Sequence, residues 1–302
     1  MTPSAHLDSG LSRRALLASS LLATPVLLAA CGDSLRQQAT ADGQTHTNLA
    51  GNTDITEALL TLQEENSITL SLAAYDHQAD DLYLFQGDLW TYEASIVKVP
   101  IALTLLRLAA FQERTLTDRE KALVTASLSY SDNGSTSEIF RIFGGGEAYD
   151  PQTSLDSTTS LNKTYELLGI EKTRAAGTWG DNQTWAQDQL LIMRAIVDQI
   201  DWVQPQDAAY LLGAMQPVDY SQNWGVGVMQ GQKIQGEDVT QLAVKNGWIQ
   251  EDTGAWHINS VGALSAGQKN FSLALLTKGA QDQEKGYDLA SQAIQTYFDH
   301  LG

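Results

Sequence analysis

Strand-forming alternation occurs in two stretches that lie far apart along this chain, with a long helical region between them. That order constrains the fold more than any other feature. Ser67 to Tyr75 (Ser-Ile-Thr-Leu-Ser-Leu-Ala-Ala-Tyr) alternates and is rich in strand formers. Asp76 to Asp81 reads as a turn and Leu82 to Gln86 as a returning strand, so the pair predicts a hairpin. The strand signal returns only from Gly225, with Ala243 to Lys245, Ala255 to Ala263 and Phe271 to Thr277 as the expected strands. In between, Ser95 to Phe111 reads as a buried helix with Pro100 in its first turns, where proline is tolerated. From there to about Ala214 the pattern is mostly helical, punctuated at Gly144-Gly145-Gly146 and Trp179-Gly180-Asp181. Asp54 to Glu65 and Asp282 to Leu301 read as helices at the two ends. The expected fold is α/β (α+β): an antiparallel sheet completed by both ends of the chain, flanked by N- and C-terminal helices, with an inserted all-helical lobe. A cleft between sheet and lobe is the expected place for a site.

The first residues carry a different signal. Arg13 and Arg14 precede an apolar run from Ala15 to Ala30, and Cys31, the single cysteine, follows at once. That is the pattern of a secretory signal. Leu28-Ala29-Ala30-Cys31 resembles a bacterial lipobox, which would leave Cys31 lipidated, and Ser12 to Leu17 resembles a twin-arginine signal. The alternative is an uncleaved membrane helix, for which the run is short and is broken by Pro25. The expected organisation is a signal over residues 1–31, a polar tether over 32–53 and one folded domain over 54–302. The protein would then be exported and held on the outer face of the cytoplasmic membrane through Cys31, as a monomer. With Cys31 used as the anchor, no disulfide, zinc cluster or cysteine nucleophile is available. A net charge of -18, with no basic cluster, argues against nucleic acid as a partner.

Three segments carry candidate chemistry. In Ser95-Ile96-Val97-Lys98 the two polar residues are three apart, on one helix face, so Lys98 is placed to reach the Ser95 hydroxyl. A lysine whose pKa is depressed can take a serine's proton. The same spacing recurs at Ser160 and Lys163, so alone it can be incidental. Tyr130-Ser131-Asp132-Asn133-Gly134 can be a polar cap, or it can give Ser131 a proton-shuttle role and Asn133 a substrate-orienting one. Val244-Lys245-Asn246-Gly247-Trp248 can be a strand ending in an Asn-Gly turn. In its functional reading, Lys245 supplies positive potential that keeps Lys98 neutral, Gly247 lets a substrate lie flat, and Trp248 offers its backbone N–H.

Taken in this order, with Thr184 to Asp188 after the middle lobe, the segments resemble the serine β-lactamase (class A-like) and penicillin-binding D,D-peptidase superfamily. The Lys-Asn-Gly-Trp form resembles actinobacterial lipoproteins of that group. The resemblance implies Ser95 as acylated nucleophile, Lys98 as base, and Ser131 as proton relay. It implies Asn133, Lys245, Asn246, Gly247 and Trp248 as substrate-binding residues, with Ser95 and Trp248 N–H groups as oxyanion donors. It implies a β-lactam or a peptidoglycan stem peptide as substrate, and neither metal nor cofactor.

Two departures stand out. The Glu-x-x-Leu-Asn segment, whose glutamate activates the deacylating water in class A enzymes, has no counterpart in Gly169 to Gln183, where Glu171 and Asp181 are the acids. A long-lived acyl-enzyme is expected, so a slow or inert penicillin-binding sensor is the alternative function. Asn246 also stands where the family has Thr or Ser, and the run between Ser95 and Ser131 is short, which predicts a more open cleft. His257 reads as structural, and no Ser-His-Asp triad is needed if Lys98 is the base.

Overall fold

The structure, a computed structural model, describes residues 49–143, 161–175, 179–217 and 222–301. The expected signal with Cys31, most of the tether, Gly144-Gly145-Gly146 and Ser160 lie outside them. The chain enters through helix α1 (Leu49–Asn66), forms the hairpin β1 (Thr69–Asp76) and β2 (Asp81–Phe85), then a short strand β3 (Trp90–Tyr92). A 3-10 turn over Ala94–Val97 leads into α2 (Lys98–Phe111). The lobe continues with α3 (Asp118–Ser129), α4 (Asn133–Ile142) and α5 (Leu161–Leu167). After β4 (Gln183–Trp185) come α6 (Ala186–Val197) and α7 (Pro205–Ala214), then a second 3-10 turn at Gly225–Met229. The strands β5 (Lys233–Ile234), β6 (Glu237–Gln250), β7 (Trp256–Ala266) and β8 (Lys269–Ala280) and the helix α8 (Gln283–Asp299) complete it.

The main sheet has the order β2-β1-β8-β7-β6-β5, and every pairing is antiparallel. The last long strand therefore lies between the first strand and β7, which closes the sheet from both ends of the chain as the sequence predicts. Side chains alternate between two apolar layers. Leu70, Leu72, Leu273 and Leu275 face α1 and α8, packing with Leu59, Leu289, Ala293 and Tyr297. Ala73, Ala263, Ala274 and Leu276 face the lobe, against Leu190, Met193 and Ile196 of α6. Small residues on that second face let α6 lie close to the sheet. The run Ala94–Phe111 is apolar enough to span a membrane, yet it is 83% buried here. A helix apolar on all sides is a core helix when it has neighbours to bury against.

Several boundaries differ from expectation. The strand expected over Ala243 to Lys245 runs from Glu237 to Gln250, because it pairs with β7 from Val239 to Gln250 and with β5 at its start. Asn246 and Gly247 are opposite Ser260 and Asn259, so the Asn-Gly turn does not form. Pairing overrides the weak local propensity of Lys, Asn and Gly. The expected helix from Ser95 starts instead as a 3-10 turn. The strands β3 and β4 pair with each other and were not legible, being too short to show alternation. Helix α1 starts at Leu49, before the Asp54 expected.

Candidate active site

Ser95 is placed by a clamp on the residues just before it. The N–H of Glu93 donates to the Asn182 carbonyl at 2.8 Å and that of Ala94 to the Gly180 carbonyl at 2.9 Å, while Ile96 donates back to Glu93 at 3.2 Å. Ala94 takes a left-handed conformation, φ 48, to make the turn. That conformation costs an alanine about 1–2 kcal/mol, so the clamp must hold it.

On its other side the turn meets β6. A Cβ added to Gly247 would lie 2.7 Å from the N atoms of both Ser95 and Ile96. The glycine is thus required by the packing of the Ser95 turn on the strand, a different reason from the flat substrate surface that the sequence suggested. Residues two apart on a strand share a face, so Lys245 points the same way as Gly247. Asn246 points the other way.

Lys98 and Lys245 are both fully buried and meet at Ser131. Lys98 Nζ donates to the Ser131 carbonyl (2.6 Å), Ser131 Oγ (3.0 Å) and Asn133 Oδ1 (2.7 Å). Lys245 Nζ lies 3.0 Å from the same Ser131 Oγ and donates to its neighbour's carbonyl, Asn246 O, at 2.8 Å. Ser131 reaches this position because it is left-handed (φ 55), between the end of α3 and Asp132, the N-cap of α4. Trp179 places its ring 5.3 Å from Lys98 Nζ. Among the described residues no hydrogen bond joins Lys98 to Ser95, so the contact expected from their spacing is not made in this state. Such bonds often tighten only when a substrate is bound.

Burial pulls Lys98 down to about 8, against the opposing pull of Asp132. Lys245 is held well below the ordinary lysine range, by burial first and by the Lys98 charge second. Desolvation, rather than a neighbouring cation, is therefore the leading cause at Lys98, which amends the sequence-based expectation. A lysine that has lost its proton can donate two hydrogens and accept one. A neutral Lys98 fits its three partners by donating to the Ser131 carbonyl and Asn133 and accepting from the Ser131 hydroxyl. That hydroxyl can then accept from Lys245. The arrangement can pass a proton along Lys245, Ser131 and Lys98.

Asn246 is the clear correction. Its side chain is fully buried behind the strand. Nδ2 donates to the carbonyls of Gln222 (2.9 Å) and Trp224 (3.1 Å), and Oδ1 accepts from Ser260 at 2.6 Å. Both donors are used, so none is left for a substrate carboxylate. Asn246 ties the segment before the second 3-10 turn to the sheet. Asn246→Thr is expected to lower stability by about 2–3 kcal/mol, read from the urea midpoint, because the shorter side chain leaves a buried carbonyl unsatisfied.

The remaining candidates are placed as follows. Asn133 is exposed at the start of α4, with Oδ1 on Lys98. Trp248 pairs opposite Ile258, and its ring packs on Trp224 (6.1 Å) and Tyr287 (5.7 Å). His257 is buried, with Nε2 2.5 Å from Glu251 and Nδ1 accepting from the Tyr92 N–H at 3.4 Å, which fits a structural role. Of the two acids in the loop after α5, Glu171 and Asp181 are both exposed.

The residue that sequence reasoning missed is Glu93, fully buried two positions before Ser95. Its only signal was an acid set between Tyr92 and a buried run.

A family model described as "Beta-lactamase enzyme family" matches residues 119–301. The chain belongs to the beta-lactamase enzyme family. Solved structures share the fold of this family member at low identity. One is a class A beta-lactamase from Bacteroides cellulosilyticus DSM 14838, with TM-score 0.67 and 14% identity, covering 83% of this chain and 98% of that one. Another is a beta-lactamase from Sphaerobacter thermophilus DSM 20745, with TM-score 0.65 and 16% identity, covering 81% and 95%. A third, PBP-A, has TM-score 0.62 and 18% identity, covering 81% and 95%. No curated protein sequence matches this beta-lactamase family member significantly.

Proposed function

We propose that this protein is a serine acyl-hydrolase of the β-lactamase and D,D-peptidase type, with Ser95 attacking a β-lactam or D-alanyl-type amide carbonyl. The observation that carries the proposal is the meeting of Lys98 and Lys245 on one Ser131 hydroxyl, at 3.0 Å each, beside the turn that holds Ser95. In this mechanism neutral Lys98 takes the Ser95 proton as Oγ bonds to the carbonyl carbon. The N–H groups of Ser95 and Trp248 receive the oxyanion. The proton then passes from Lys98 through Ser131 to the leaving nitrogen, and the C–N bond breaks to give an acyl-enzyme. Water later releases the acid. Lys245 provides the positive field for a substrate carboxylate, and Asn133 orients the substrate amide.

A second reading has a specific observation behind it. Gly169 to Gln183 lacks the Glu-x-x-Leu-Asn segment whose glutamate would activate a deacylating water, and among the described residues the hydrogen bonds of Lys98 go to Ser131 and Asn133. This favours a slow penicillin-binding or sensing protein. The proposed setting for either is the outer face of the cytoplasmic membrane, with lipidated Cys31 and a polar tether ahead of the folded domain.

Intact-mass measurement after incubation with a penicillin tests the proposal. The wild type is expected to gain one drug mass and Ser95→Ala none. A persistent adduct would favour the sensor, and drug consumption without an adduct would favour the hydrolase. If the wild type neither gains mass nor consumes drug, β-lactam chemistry at Ser95 is ruled out.

A further inference from the structure

The carboxyl of Glu93 is a hub for three separate elements. Tyr165 of α5 donates its hydroxyl to Oε1 at 2.9 Å, Gln189 of α6 donates to Oε1 at 2.8 Å, and Asn182 donates to Oε2 at 2.7 Å. The same Asn182 accepts the Glu93 N–H through its carbonyl. Side chain and main chain of Glu93 thus grip one loop residue from both sides, and Ala94 adds the bond to Gly180. Ser95 is the next residue. Among the described residues, the Lys98 hydrogen bonds go to Ser131 and Asn133, and those of the Glu93 carboxyl go to Tyr165, Asn182 and Gln189.

We propose that Glu93 is a positioning residue, whose carboxylate gathers α5, α6 and the 180–182 segment into a seat that fixes how Ser95 presents its N–H and Oγ to the cleft. The consequence for catalysis rests on the acyl-enzyme reading above; the seat itself does not. The three partners all arrive as donors, which suits an ionised carboxylate with acceptor sites only. A protonated carboxyl has a hydrogen to place, so one of the donors must turn away or, as the Gln189 amide can, turn its unpaired oxygen toward Glu93. Burial raises Glu93 to about 7, while its donors Asn182, Tyr165 and Gln189 pull it down. The titratable groups that act on it are Tyr165 from α5 and Asp188 from α6, whose charge raises it further. The seat is therefore complete above about pH 7 and loosens as pH falls through that value.

The test is the acylation rate of the purified protein by a penicillin, against pH, for wild type, Glu93→Gln and Tyr165→Phe. Below about pH 7 the logarithm of the wild-type rate is expected to rise with a slope approaching two, one proton from Lys98 and one from Glu93. Glu93→Gln is expected to be slower by about a hundredfold with drug affinity little changed, and to show a slope of one. Tyr165→Phe removes a donor that favours the charged form, so its lower limb is expected to move to higher pH. A merely structural contact would not change the slope or move the limb. Equal slopes and rates in all three proteins would overturn the proposal. The Ser95 amide resonance in a 1H–15N spectrum gives a reading that needs no acylation. It is expected to titrate near pH 7 in the wild type and not in Glu93→Gln, and an unmoved wild-type resonance would overturn the proposal. If the drug never reacts but the amide titrates, the reading of Ser95 fails and the seat stands.

Discussion

Replacing Lys98 with methionine is expected to slow acylation of Ser95 by about a thousandfold and to remove its pH dependence through about 8. Methionine fills much of the same volume but cannot take a proton. In the wild type the neutral amine accumulates as pH rises through about 8, so the rate should climb there and then level. The variant profile should be flat across that range. Stability moves with the same group. Lys98 titrates at about 8 when folded and at 10.5 as a free lysine, so between these values the unfolded chain holds the extra proton. Wild-type stability is therefore expected to rise as pH increases from about 8 to 10.5. Thermal melts of K98M across that range should show a smaller rise, the remainder coming from Lys245, which burial also holds below the ordinary lysine range. A variant that loses activity without losing stability at neutral pH would mark Lys98 as a group whose burial serves chemistry at the expense of the fold. A parallel loss of both would contradict this.

Adding one methyl group at Gly247 is expected to have the second largest effect. The new Cβ of Gly247→Ala would sit 2.7 Å from two backbone nitrogens of the Ser95 turn, and backbone cannot swing aside as a flexible side chain can. The turn is also clamped from behind by Asn182 and Gly180. Overpacking of this kind costs about 1–3 kcal/mol, and a displacement near 1 Å at a nucleophile lowers the rate by about a hundredfold. Gly213→Ala is the control, since nothing lies within 4 Å of its added Cβ. It lies in α7 and is expected to leave acylation unchanged and stability level or slightly higher. Stopped-flow acylation and urea unfolding on the two variants separate the cases. Full activity in Gly247→Ala would show that the turn has slack that the packing does not reveal.

The fold was largely legible because its signals are redundant. The hairpin before the lobe, the strands after it and the closing helix each carry their own periodicity, and their order admits few sheets. The candidate site was legible where a residue type has few other reasons to be buried. Lys98 and Lys245 are fully buried lysines, and both were found from the motifs that surround them. Asn246 was misjudged because a strand shows only its alternation. Which side of β6 faces the site depends on Gly247 meeting the Ser95 turn, and that contact spans about half of the chain. Glu93 was missed for a related reason. Its partners Tyr165, Asn182 and Gln189 are scattered through the lobe, so nothing near Glu93 in sequence announces a buried carboxyl.

The place of β8 also bears on how the protein is made. Among the described residues, β1 pairs with β2 and β8 alone, and β8 is synthesised after all the other described strands. Until Lys269–Ala280 has been synthesised, β1 has an open edge and the two apolar layers have no centre. Ser95, Lys98 and Ser131 all exist long before then, but the surface that seats them does not. Contacts of such sequence separation form slowly, and exposed strand edges invite association with other chains. A nascent or truncated chain ending before β8 is therefore expected to depend on chaperones and to be cleared by proteases, and folding of the domain becomes an all-or-nothing event that waits for β8.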